Sequence, residues 1–194
     1  SFPASHIKFL NRLLSGKIDT EHIRTELRSQ MDRAAQSGSR ITNISGHEHI
    51  HMIPIVLKIF IEIAKEYKIP YMRMLKRERV ISPPGVKKLY RFAVVSCLEE
   101  ITKRMLRKSG LHAADNFLGF LDSGALSENI LINMIANLKE GVTELVAHPG
   151  FLGPVIMDDH RFHLNCEEEL YALTSPKVKR LITESGIKLV KYGD

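Results

Sequence analysis

The stretch Ile41-Thr42-Asn43-Ile44-Ser45-Gly46-His47-Glu48-His49-Ile50-His51-Met52-Ile53-Pro54, with its continuation to Tyr71-Met72-Arg73-Met74, decides the fold. Ile41–Ser45 is a short apolar run that reads as a strand. Pro54 suits a first helical turn and opens a helix to Tyr67, with Ile55, Ile59 and Ile63 on one stripe. Lys68-Ile69-Pro70 ends it, because proline removes a donor and biases its predecessor away from helical geometry. Tyr71–Met74 is then the next strand. Strand, helix, strand is the signature of a parallel βα unit, since parallel neighbours need a crossover that is usually helical.

The same alternation extends in both directions. Upstream, Thr20–Gln36 is a helix with Asp19 or Thr20 as cap, Ile23, Leu27, Met31 and Ala34 at helical spacing, and a stop at Ser37-Gly38. Ser1–Leu14 is apolar enough to pack on its own domain or to cover a strand edge. Downstream, the loop Ser82-Pro83-Pro84-Gly85 precedes a long basic helix, Val86–Lys108, ended by Ser109-Gly110. Phe117–Phe120 reads as a short strand, Ser127–Leu138 as a helix capped by Ser127, and Val142–Ala147 as a strand. A helix over Pro176–Glu184 and a last strand, Ile187–Val190, complete the pattern. No repeat or linker interrupts it, which predicts a single α/β domain over residues 1–194.

Two segments can carry chemistry. In an extended backbone His47, His49 and His51 would project to one side while Glu48 and Ile50 point to the other. Imidazoles spaced at i and i+2 can share a cation, and the competing reading is a polar strand exit whose histidines bond carbonyls. The second segment is Glu144-Leu145-Val146-Ala147-His148-Pro149-Gly150-Phe151, in which a strand delivers a histidine to its C-terminal end and Pro149 keeps it extended. Ligands of α/β folds bind at that edge, although a His-Pro turn bonded to a nearby carbonyl would look the same.

Composition narrows the setting. A chain of 194 residues with 44% hydrophobic and 26% charged residues easily buries a core. The net charge of +6 is concentrated in 65–79 and 87–108, where interleaved acids suggest solvated helix faces, and no nucleic-acid motif accompanies it. Cys97 and Cys166 are too few for a disulfide framework. The longest apolar run, Ile53–Ile63, is broken by Pro54, Lys58 and Glu62, and the start shows no signal pattern, so the expectation is a cytoplasmic chain without a membrane anchor.

The segments Ser45–Pro54, Tyr67–Arg73 and Thr143–Phe151, with the closing stretches Glu168–Pro176 and Gly186-Ile187, resemble the YdjC-like family of carbohydrate deacetylases. The resemblance implies a distorted (β/α) barrel and metal-dependent removal of acetyl groups from amino sugars such as chitooligosaccharides. It implies a divalent cation, Mg2+ or Zn2+, with the family's metal-binding histidine falling on His47. His49 and His51 would then stand behind the metal or on the substrate side. Arg73, read from its place at a strand end, could contact a substrate oxygen or carboxylate, the competing reading being a surface salt bridge to Glu78 or Glu66. His148 inherits the His-Pro position and, by analogy with related deacetylases, protonates the leaving amine.

The chain departs from the family pattern at several points. A first strand with paired aspartates and a later metal-binding histidine have no counterpart, and Ser45 stands where the family usually has an aspartate. Asp158-Asp159 comes after the His-Pro strand and does not match that pair, and His6 and His22 lie on helical patterns. A closed β/α barrel typically needs about 200 residues or more. The chain therefore reads as the later part of a deacetylase, an incomplete barrel whose unpaired edge could be covered by forming a homodimer. The alternatives are a remnant that binds a sugar or a partner without turnover, and a metal-dependent phosphoesterase using the histidine run and the basic helix.

Overall fold

The strand, helix, strand unit of 41–74 is present, with its strands reduced to their centres. We describe the protein from a computed structural model, over residues 6–78, 85–153 and 165–193. These fall into two compact units. The first comprises the described residues up to Leu75, with Leu98–Ala113 and those from Lys191 onward; the second comprises those in Lys76–Cys97 and Ala114–Val190.

In the first unit, helix α1 (His6–Leu14) buries Phe9 and Leu13, one turn apart, and leaves Leu14 exposed. Helix α2 (Thr20–Gln36) begins where the Asp19 carboxylate accepts the Glu21 N–H, the cap expected from the sequence. Strand β1 (Asn43–Ile44) pairs in parallel with β2 (Tyr71–Met72), Asn43 opposite Tyr71 and Ile44 opposite Met72. Helix α3 (Pro54–Glu66) crosses between them and buries Val56, Leu57, Ile59, Phe60, Ile63 and Ala64. Its buried face is broader than the expected stripe and excludes Ile55, which is exposed on the first turn. On the other side of β2, the Met72 N–H donates to His112 O and the His112 N–H to Pro70 O.

Helix α4 (Val86–Ser109) contributes 86–97 to the second unit and 98–109 to the first. In the second unit, β3 (Asn116–Leu118) pairs in parallel with β4 (Thr143–Leu145), again around a crossover helix, α5 (Glu128–Ala136). The Ser127 hydroxyl caps α5 by accepting the Ile130 N–H. Helices α6 (Cys166–Thr174) and α7 (Pro176–Glu184) follow, and Leu126, Leu131, Met134, Ala172 and Val178 form the core between α5, α6 and α7. Ser175 caps α7, accepting from Lys177 N and Val178 N.

The fold is therefore α/β, with short parallel strands separated by helices. The described strands form two separate pairs, and no closed barrel is seen among the described residues. Ile187–Val190 forms no strand: no neighbour among the described residues pairs with it, and Leu189 and Val190 are exposed. The prolines and serine of the loop before α4 and the Asp158-Asp159 pair lie outside the described residues. No described helix is long and apolar enough to cross a membrane.

Candidate functional site

The histidine run is not extended. Chain leaving β1 passes Gly46 and winds into a 3-10 turn, His47–Met52, in which Glu48 (φ 48°) and His49 (φ 57°) are left-handed. Two consecutive non-glycine residues in this region are costly, of order 1–3 kcal/mol each, and persist only where the surroundings over-determine them. His51 does so here. It is completely buried; the Gly46 N–H donates to its Nδ1 at 3.0 Å, and its Nε2 lies 2.9 Å from the Arg73 carbonyl. Because Nδ1 accepts, Nε2 must carry the proton and donate, which fixes the neutral tautomer. Burial is the main cause that lowers the His51 pKa to about 4, and the Arg73 charge adds to it. A Cβ at Gly46 would meet His51 Nδ1 at 3.2 Å, so a bare backbone at this position lets the imidazole approach.

The three rings therefore do not share one face. His47 is exposed, His49 is half-buried with its ring 6.1 Å from that of His51, and His51 packs 5.5 Å from the Phe60 ring. The turn replaces the expected alternation because only 45–53 separate β1 from α3, and the chain must reverse within that span while Met52 enters the core. Both nitrogens of His51 are committed to the backbone, so the ring holds the turn and offers no lone pair to a cation. Arg73 enters the arrangement through its carbonyl. The carboxylates that the sequence suggests as its partners are engaged elsewhere, Glu66 with Arg28 and Glu78 with three backbone amides.

His148 belongs to the second unit. The ladder continues one bond past β4, from Val146 N to Leu118 O, before the chain turns at His148-Pro149-Gly150. Its backbone donors are taken by the start of α6: His148 N–H donates to Glu169 Oε2 at 2.5 Å and Gly150 N–H to Cys166 O at 3.1 Å. Pro149 has no N–H to satisfy. Glu169 is 1% exposed, and its other oxygen accepts the Leu126 N–H. The histidine itself is half-buried.

The neighbouring strand exit is held in a similar way. Gly119 follows β3 at φ +98°, and a Cβ there would come 2.1 Å from Val146 O. Glu78 accepts the N–H groups of Gly119, Phe120 and Leu121, a small nest of amides. Burial outweighs these bonds and raises its pKa to about 7, with the Asp122 charge acting in the same direction. Asp122 is buried and pairs with Lys88, while Arg91 donates to Phe120 O and lies over its ring.

Sequence reasoning did not find Glu169 or Glu78 as holding groups. Glu169 had a signal: it interrupts the buried stripe Cys166, Glu169, Ala172 of α6, where a carboxylate needs partners. Glu78 is one charge among Arg77 and Arg79, and only the fold shows its burial.

Among the described residues no three His, Cys, Asp or Glu gather to hold a metal ion. Catalytic metal sites usually take about three protein ligands, so the described residues do not by themselves fit a resident cation.

A sequence profile described as YdjC-like protein matches residues 3–184, and the chain belongs to that family. It is 29% identical over 175 residues to a carbohydrate deacetylase of Thermoanaerobacter pseudethanolicus, covering 90% of this chain and 60% of the relative. It is 25% identical to the carbohydrate deacetylases of Mus musculus and Homo sapiens, covering 96% of this chain and 66% and 63% of those proteins. The crystal structure of a candidate cellobiose-phosphate cleavage protein from Enterococcus faecalis V583 superposes with a TM-score of 0.67 at 20% identity, over 92% of this chain and 62% of that one, which supports the fold. The chain thus spans about 60% of the length of the first of these relatives.

Proposed function

We propose that the protein is a carbohydrate deacetylase that removes N-acetyl groups from amino sugars, chitooligosaccharides among them. The observation that carries the reading is a shared placement. In a chain of the YdjC-like family, His47 and His148 each lie three residues beyond the C-terminal end of a parallel strand, β1 and β4. The C-terminal ends of strands are where α/β folds bind ligands. The carbohydrate deacetylase relatives support the reaction class.

In this reading the reaction is amide hydrolysis. Water adds to the acetyl carbonyl as a base takes up its proton, the C–N bond breaks, and the leaving nitrogen takes a proton, giving acetate and a free amine. His148 supplies that proton, a contribution typically worth about 100- to 10,000-fold. A divalent cation, Mg2+ or Zn2+, is the cofactor we assign, and it polarises a carbonyl when bound. His47 would contribute one ligand, with His49 and Arg73 on the same side of the site. The βα units would belong to a distorted barrel.

Acetate release from N,N'-diacetylchitobiose, measured with Mg2+ or Zn2+ supplied, tests the reading. Wild type releases acetate, and His148→Ala lowers kcat about 100-fold or more. A folded wild-type protein that binds the sugar but releases no acetate would replace this reading with that of a binding module.

A further inference from the structure

We infer that Glu169 is a positioning residue for His148, an inference that rests on the role given to His148 above. The backbone of the His148-Pro149-Gly150 turn has two N–H groups, and both are held by α6, through the Glu169 side chain and the Cys166 carbonyl. The Glu169 bond acts at the histidine itself. The same carboxylate accepts from Leu126, immediately before the Ser127 cap of α5, so one side chain ties the exit of β4 to the start of the helix that precedes that strand.

A structural glutamate would serve as well on the helix surface, yet this one sits 1% exposed on a face otherwise made of Cys166 and Ala172. Burying a carboxylate is costly unless its oxygens are bonded, and here both oxygens accept backbone N–H groups that the strand and helix ends leave over. The arrangement requires two acceptor oxygens. Glutamine would offer one and turn its amide N–H2 against the other backbone N–H. Glu169 therefore sets where the His148 backbone stands and so where its ring is presented, without touching substrate.

The test combines amide exchange with a double-mutant cycle. In Glu169→Gln the His148 amide exchanges at least tenfold faster, while the Met72 amide of the other unit, bonded to His112 O, keeps its rate. On N,N'-diacetylchitobiose the same variant lowers kcat by tenfold or more with KM within about threefold, and adds less than twofold once His148 is already Ala. Glu169→Asp, which keeps two acceptor oxygens on a shorter stem, recovers part of the kcat. An unchanged His148 exchange rate would overturn the inference, as would uniformly faster exchange that includes Met72, or an undiminished Glu169→Gln loss in the His148→Ala background. If wild type releases no acetate, the deacetylase reading fails, and the exchange comparison still decides whether Glu169 fixes the turn. If Glu169→Gln does not fold, Glu169→Asp carries the same exchange comparison.

Discussion

The two strand exits that carry the family motifs solve one problem with opposite chemistry. After β1, a buried neutral imidazole, His51, accepts from Gly46 and donates to Arg73 O. After β4, a buried carboxylate, Glu169, accepts from His148 and Leu126. Each motif thus sets a more open histidine beside a buried titratable group that holds the loop: His47 is exposed beside buried His51, and half-buried His148 is held by Glu169. The choice follows the backbone. The first exit needs one acceptor and one donor, which the Nε2–H imidazole supplies, whereas the second needs two acceptors, which a carboxylate supplies.

The comparison breaks most severely at His51. His51→Ala leaves the Gly46 N–H and the Arg73 carbonyl unpaired in the interior and empties the space beside Phe60, and we expect a loss of about 3–5 kcal/mol in urea unfolding. His47→Ala, four residues away and exposed, should stay within about 0.5 kcal/mol of wild type. The second unit has its own sensitive point at Gly119, where a methyl group would strike Val146 O at a backbone angle that side chains avoid. Gly119→Ala should cost about 2–3 kcal/mol, read by the same measurement.

Protonation sharpens the contrast. The folded pKa of His51, about 4, lies below its ordinary 6.5, so between these values the unfolded chain binds the proton and the folded one does not. Its contribution to stability is present above pH 6.5 and is lost as pH falls toward 4. Glu78 is the reverse: raised from 4.5 to about 7, it favours the folded state below pH 4.5, and that contribution is lost as pH rises to 7. The two slopes oppose between pH 4.5 and 6.5, each reaching at most about 1.4 kcal/mol per pH unit. Glu78→Gln removes one of them, so its stability should climb more steeply with pH than that of wild type across this window. The smallest effect belongs to the surface pair Arg28–Glu66, where Arg28→Ala should change stability by about 0.5 kcal/mol or less.

Much of the scaffold was legible because local rules decide it. The Asp19 and Ser127 caps, Pro54 at a helix start and Pro70 after its end each place an element boundary by backbone chemistry alone. Strand positions were legible and their lengths were not: β1 keeps Asn43–Ile44 of an apolar run, because a strand extends only as far as its partner pairs with it. Ile187–Val190 has the composition of a strand and no strand partner among the described residues. Helix α6 was missed because its inner stripe carries Glu169 where an apolar residue would signal a helix face.

The motifs were legible as sites, and their geometry was not. Period-two alternation put three imidazoles on one face, but that rule holds only while the backbone stays extended, and Glu48 and His49 turn left-handed directly after Gly46. Which histidine would be buried depends on Phe60 and the Arg73 carbonyl, both distant in sequence. The same holds for Glu169, whose partners His148 and Leu126 lie 21 and 43 residues away.

That His51 holds the first strand exit as a buried neutral imidazole is tested most directly by nitrogen-15 spectra of the histidine rings followed from pH 8 to 3.5. His51 should remain the neutral Nε2–H tautomer, its protonated nitrogen held by a carbonyl, until the pH approaches about 4. A His51 ring that titrates near 6.5, or that shows the Nδ1–H tautomer, would contradict the account.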